Sequence, residues 1–374
     1  MNFQTIISSY ERIPKDASAQ LDSLRGFSAL IVLFTHANQL LIGPSYQGFL
    51  GIGGLLAQFA VMVFFVLSGF LIGKSLTRNV HQNKELHLSS YLFDRFNRIY
   101  PPLLFSIFLV IILLWISPWF FASGINLYIS NNPYLAREGF IATASSIISS
   151  ALFLNGFIGE TISANGPLWS LSYEVWYYVL AAFLFKSKNI IYAFLAIALV
   201  LILGILNHSF IIHAVVWFLG LALCLLHNNG YSGTLLKLAG YLSFISTILF
   251  SSIYLLDFHE VLSFPTILAG QSMLLAKLSV GLLTTSIIYY VLNGGIKISA
   301  FFKDSSAYSY TLYIIHVPIL LFILGVTEPN IIDNTFNALI AYIFSCILIL
   351  IVSKLSAAKV EKMQVLKYKN KALN

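Results

Sequence analysis

Arg25 and His36 stand eleven positions apart in the run LRGFSALIVLFTHANQLLIG. At about 100° per residue these steps close almost three helical turns, so both side chains leave one helix face about 16 Å apart along the axis. Asp22 falls near the same face. Ionisable groups inside a membrane span are costly and face a protein interior or a water-filled cavity. The residue types suit acid–base work at the histidine and anion binding at the arginine.

Of the fourteen Asp and Glu residues, Glu174 alone sits well inside a hydrophobic run, in NGPLWSLSYEVWYYVLAAFLF. Counted from the outer ends of their segments, His36 and Glu174 share a depth of about 10 Å. A histidine and a carboxylate at one level make a base with an orienting partner. The competing readings are a structural anion capped by Ser170, Ser172 or a neighbouring tyrosine, and a plain helix-interface histidine. RFNRIYPP sets Arg95 and Arg98 at i, i+3 just before Pro101 and Pro102, a spacing suited to phosphate oxygens or to a simple anchor at the inner surface. Arg25, at the inner end of its own span, could complete a phosphate site. His316 lies two residues before Pro318, where a weakened helix ladder needs partners, so it is open to a structural or a catalytic role. His213 and Lys277 are expected to snorkel. The sequence has no HExxH, Gly-rich phosphate loop or GxSxG elbow, which leaves metal, P-loop and serine-nucleophile chemistry unsupported.

The elements that must hold these groups are membrane spans. Hydrophobic residues make up 58% of the 374 and charged residues 9%, a balance that excludes a soluble domain of this length. The apolar stretches run on for roughly 18–22 residues, which excludes the ten-residue alternation of a β-barrel. The net charge of +7 gathers in short loops and the tail, as the positive-inside rule expects and a nucleic-acid surface does not. Cys224 and Cys346 both lie in apolar runs and support neither a disulfide framework nor a metal cluster. The first apolar run lacks a cleavage site and is a retained span.

Eleven apolar segments are legible, near 24–43, 55–73, 99–121, 140–156, 168–185, 189–206, 210–227, 237–256, 273–293, 307–326 and 335–353. Eleven crossings would put the basic stretches at Lys186, Lys188, Lys237, Lys297 and Lys303 outside. If 140–156, short and rich in Ser, Thr and Ala, is re-entrant or interfacial, every basic loop falls on one side, including the 74–98 loop. The expected fold is an all-α polytopic membrane protein of about ten transmembrane helices plus one short re-entrant or interfacial helix, with both termini cytoplasmic. It forms one domain over 1–374, with a cytoplasmic segment 1–23 and a basic tail 354–374 resting on anionic lipid. The largest outer excursion is 122–166, where Arg137 beside Glu138 is the outer basic exception.

LDSLRGFSALIVLFTH, FFVLSGFLIG, RFNRIYPPLL, GPLWSLSYEVWYY and YSYTLYIIHVP, in that order across 22–318, resemble the acyltransferase type 3 family of bacterial integral-membrane acyltransferases. The family's first-span arginine and histidine fall on Arg25 and His36, its paired arginines on Arg95 and Arg98, and its Trp-Ser-Leu-Ser segment on Trp169 through Glu174, with Ser172 inside it. Its late Tyr-Leu-Tyr-x-x-His-x-Pro pattern matches Thr311 to Pro318, including Tyr313 and His316, with Thr311 replacing the first tyrosine. The resemblance implies transfer of an acyl group, usually acetyl, from cytoplasmic acyl-CoA to a hydroxyl of a glycan or lipid-linked saccharide at the bacterial inner membrane. His36 and Glu174 would then be catalytic, Arg25, Arg95 and Arg98 would bind the phosphates of acetyl-CoA, and Asp22, Trp169, Ser172, Tyr313 and His316 would support them. No metal is implied. Whether His36 acts as base or transient acyl carrier, which acceptor is used and how long the acyl chain is stay open. The alternative from the residues alone is a proton-coupled transporter or flippase, with His36, Glu174 and Arg25 along its path.

Overall fold

The computed structural model describes residues 3–230, 233–261 and 266–363. Twelve α-helices follow in chain order: α1 Phe3–Ser8, α2 Lys15–Ala37, α3 Leu50–Asn83, α4 Leu88–Phe120, α5 Ala144–Ala151, α6 Leu168–Phe185, α7 Ile190–Leu206, α8 His208–Asn228, α9 Thr234–Phe258, α10 Thr266–Leu292, α11 Ser309–Ile331 and α12 Thr335–Val360. No strand is present among the described residues. In a bilayer the backbone must satisfy its own polar groups, and apolar sequences of this length do so as helices.

Eight of the helices are long and apolar enough to cross a membrane: α3, α4, α6 and α8 to α12. The other two expected spans also form helices. α7 has 17 residues, and α2 carries Asp22 and Arg25 and runs on as a π-helical turn, Asn38–Ile42. The segment 140–156 yields only the eight residues of α5, about 12 Å of helix, which cannot cross. One expectation needs correction. The 74–98 stretch is not a loop, because α3 continues to Asn83 and α4 begins at Leu88. Lys74 is accordingly buried, its ammonium donating to the Glu11 carbonyl at 3.0 Å and to Asn228 Oδ1 at 2.5 Å. The basic tail is helical to Val360, and its residues 364–374 lie outside the described residues, as do 262–265 of the 257–266 loop.

Prolines inside the helices free carbonyls four residues back, and side chains take them up. Pro318 leaves the Ile314 carbonyl, which accepts from Ser106 Oγ at 2.7 Å and Asn165 Nδ2 at 2.9 Å. Pro118 leaves the Leu114 carbonyl, which accepts from Asn126 Nδ2 at 2.7 Å. Both amides come from the 121–167 excursion, so the proline defects pin that segment onto the bundle. Glu328 holds it as well, accepting from the Ile129 and Ser130 amides at 2.9 and 2.5 Å.

Two packed cores flank the site. One is built largely from α2, α4, α11, α12 and the excursion, the other from α3, α6, α8 and α10, and Tyr178 and Tyr313 pack against both. Within the second core, α3 and α8 meet at glycines: a Cβ on Gly220 would fall on the Val66 carbonyl, and one on Gly69 on the Trp217 carbonyl. Small residues that let backbones touch are the usual contact between helices in lipid, where apolar burial gives little drive. Gly220→Leu therefore destabilises the protein by about 3 kcal/mol or more through overpacking, seen as a lower unfolding midpoint of the detergent-solubilised protein.

Candidate functional site

Two cavities open between the cores. The first, about 490 Å³, lies toward the ends of α3 and α4 that carry the arginines. Its wall includes five basic side chains, Arg25, Lys74, Arg78, Arg95 and Arg98, against three carboxylates, Asp22, Glu174 and Glu361. Arg25 comes from α2, where Asp22 one turn earlier accepts from its Nη2 at 3.1 Å. Arg95 and Arg98 come from the first turns of α4, which starts well ahead of Pro101. At that turn Tyr310 donates its hydroxyl to the Ile99 carbonyl at 3.1 Å. The Nε atoms of Arg25 and Arg95 are buried with no hydrogen-bond partner among the described residues. A positive cavity holding unsatisfied guanidinium donors is equipped for an anion, most of all for phosphate oxygens.

The second cavity, about 350 Å³, is lined by His36, Gln39, Gln58, Arg137, Thr161 and Trp169, among others. The excursion closes it on one side, with Arg137 Nε donating to the Ser163 carbonyl at 3.3 Å. Two amides, a hydroxyl, an indole and a guanidinium share this lining with Leu40, Ala57, Val61, Val317 and Leu321, so the space offers hydrogen-bonding groups beside apolar walls.

His36 and His316 are stacked, 5.1 Å between centroids and 9° between planes, with His36 Nδ1 2.8 Å from His316 Nε2. The hydrogen bonds assign the tautomers. His316 Nδ1 lies 3.1 Å from the Leu312 carbonyl, which can only accept, so this nitrogen carries the proton. His316 Nε2 is then the acceptor, and His36 Nδ1 must donate to it. What remains on His36 is Nε2 with its lone pair. The arrangement is an imidazole whose second nitrogen is fixed by a neighbour, the geometry that a general-base histidine requires. His316 is available for this because Ser106 and Asn165, not His316, satisfy the carbonyl that Pro318 frees.

Glu174 is not brought to His36. Its Oε1 accepts from Ser68 and from Tyr178 Oη, the latter at 2.5 Å, and it faces the basic cavity. The shared depth inferred from segment ends fails because α6 starts inside the bundle. The turn before it is sunk, with Ala164 and Asn165 fully buried, so six residues of helix carry Glu174 further toward the arginines. Ser172 touches neither cavity. It is buried and donates to Asn155, stitching α6 to the excursion. Trp169 lines the His36 cavity and packs edge-on against His213, 5.2 Å between centroids. That histidine does not snorkel: it is buried among Phe65, Trp169 and Tyr173, with Nδ1 2.7 Å from the Ser209 carbonyl.

Residues that the sequence did not single out are Ser68, Tyr178 and Gln58. Ser68 was legible as the polar member of FFVLSGFLIG, and Tyr178 as the residue one turn after Glu174.

Comparison with known proteins gives two findings. The model of a family described as "Acyltransferase domain", acyltransferase type 3, matches residues 18–357. The chain is also similar to Nodulation protein 10 of Rhizobium leguminosarum bv. viciae, 29% identical over 164 residues. That match spans 42% of this chain and 41% of the relative's length. No solved structure matches the chain.

Proposed function

Because the chain belongs to the acyltransferase type 3 family, we propose that it moves an acyl group, acetyl by preference, from acyl-CoA to a hydroxyl of a carbohydrate acceptor at the bacterial inner membrane. The observation that carries this is the separation of jobs. Five cations line one cavity, and an imidazole base with a free lone pair lines the next. Acyl-CoA has the same layout, with phosphates at one end and the thioester far from them.

The donor's phosphates lie on Arg25, Arg95 and Arg98, on the cytoplasmic side under the positive-inside rule. The nucleotide end extends to the adjoining pocket of Tyr10, Arg12, Arg78 and His81, a second basic space of about 430 Å³. The acceptor hydroxyl lies at His36 Nε2. As its oxygen attacks the thioester carbonyl carbon, its proton passes to Nε2. The carbon–sulfur bond then breaks, and the CoA thiolate takes the proton. The imidazolium formed in between keeps its Nδ1–H bond to His316, which spreads the charge without moving it. Glu174, with Ser68 and Tyr178, balances the guanidiniums and holds the inner cavity's wall. It serves the donor and not the base.

His316 is on this reading a positioning residue. His316→Ala frees the tautomer of His36 and lowers kcat by roughly 10- to 100-fold with KM for acetyl-CoA unchanged, and it alters the pH–rate profile. A merely structural role would lower the amount of folded protein and leave the profile of the remainder as it was.

The activity itself is tested with purified protein, radiolabelled acetyl-CoA and a panel of oligosaccharides. Label in an oligosaccharide is the expected result. A proton-coupled transporter would share two cavities on opposite faces. It would accumulate a saccharide in proteoliposomes without acetyl-CoA and acetylate none of the panel.

A further inference from the structure

The linings of the two cavities have two residues in common, Val61 of α3 and Tyr313 of α11. Around these the walls divide by element. On α6, Trp169 faces the His36 cavity, while Ser170 and Glu174 face the basic one. Val61 and Tyr313 therefore stand between the two cavities, and Tyr313 is the larger side chain. The ring lies 6.0 Å from the His316 ring and edge-on to Phe64 at 5.7 Å. Among the described residues its side-chain hydrogen bond is to Ser170, with Tyr313 Oη and Ser170 Oγ 2.7 Å apart. Ser170 Oγ also lies 3.1 Å from the Pro167 carbonyl, which can only accept. The hydroxyl proton of Ser170 is thereby committed, and Tyr313 is the donor in their bond.

We propose that Tyr313 is a gate between the donor and acceptor cavities: closed against Val61 and Ser170 it keeps water and ions from crossing, and swung aside it admits only a short acyl group to His36. The inference rests on the acyl-transfer reading for its selectivity but not for its seal. Two rotatable bonds carry the ring, and swinging it aside breaks one hydrogen bond and its ring contacts, whereas the backbones around it are held by whole helices. Because Val61 is short and buried, little of the partition survives removal of the ring.

The seal is tested without any turnover. Gln58, which lines the His36 cavity only, is changed to cysteine, and a membrane-impermeant thiol reagent is added to sealed vesicles from each face in turn. Cys224 and Cys346 are buried and serve as background in the parent protein. The expected result for Gln58→Cys is labelling from the face opposite the arginines alone. Adding Tyr313→Ala opens labelling from the arginine face as well, and adding Tyr313→Phe, which keeps the ring, does not. Should Tyr313→Ala fail to fold, Tyr313→Val removes the ring while leaving a smaller void, and it opens labelling in the same way. Selectivity is read from acyl-CoA chains of two to eight carbons: Tyr313→Ala raises the rate with the six-carbon donor relative to acetyl by at least about tenfold and speeds hydrolysis without acceptor. Labelling from the arginine face with Tyr313 in place, or labelling unaltered by removal of the ring, overturns the gate. Gated labelling with no transfer from any acyl-CoA leaves the gate standing and overturns the donor reading instead.

Discussion

Replacing His36 by alanine lowers acyl transfer by roughly 10³-fold, within the range of 10²–10⁴ that a positioned general base contributes. The loss falls on kcat. KM for acetyl-CoA stays within about a factor of two, because on the proposed reading the donor's phosphates lie on Arg25, Arg95 and Arg98, which line a different cavity. Binding of the donor to His36→Ala, followed by equilibrium dialysis of radiolabelled acetyl-CoA, is as tight as to the parent. His36→Gln does not restore the rate, since an amide that donates to His316 Nε2 has no lone pair of comparable basicity to offer the acceptor. Parent-like turnover by His36→Ala would place the chemistry elsewhere.

Removing the arginine pair has the opposite signature. Arg95→Ala with Arg98→Ala raises KM for acetyl-CoA by roughly 10²-fold and leaves kcat little changed. Each charge-assisted hydrogen bond to phosphate contributes about 1.5–3 kcal/mol, and partial solvent access brings the sum to the lower end. Replacement by lysines recovers part of the loss, because an ammonium keeps the charge but not the paired geometry. The defect shrinks with acetyl-pantetheine, which has no phosphate for these side chains to hold. Steady-state kinetics with the two donors checks both halves. An equal loss with both would make the arginines structural anchors.

What the sequence made legible follows from period and composition. The spacing of Arg25 and His36 put both on one face of one helix, and along that helix they do serve two different cavities. The apolar runs located every long helix, and the Ser-rich character of 140–156 singled out the segment too short to cross. The failures have one physical origin: depth along a helix can be counted, but neither the level at which the helix starts nor the direction a side chain faces can. Glu174 was paired with His36 on depth, yet the buried turn at Ala164 and Asn165 lowers the start of α6 and turns the carboxylate to Ser68 and Tyr178. The partner of His36 lies 280 residues away on α11, a contact that local pattern does not encode. Lys74 was placed in the 74–98 loop because an apolar run ended beside it. The helix instead carries it into the protein, where His227 Nδ1 lies 2.8 Å from its ammonium.

The most direct measurement uses proteoliposomes that hold acetyl-CoA on the arginine face and an oligosaccharide acceptor on the opposite face. With parent protein and acetyl-CoA held below the parent's KM, label appears on the enclosed oligosaccharide, and His36→Ala or the arginine double variant reduces it to near background. Acetylation that occurs only when donor and acceptor share one face would contradict a transfer path through the two cavities.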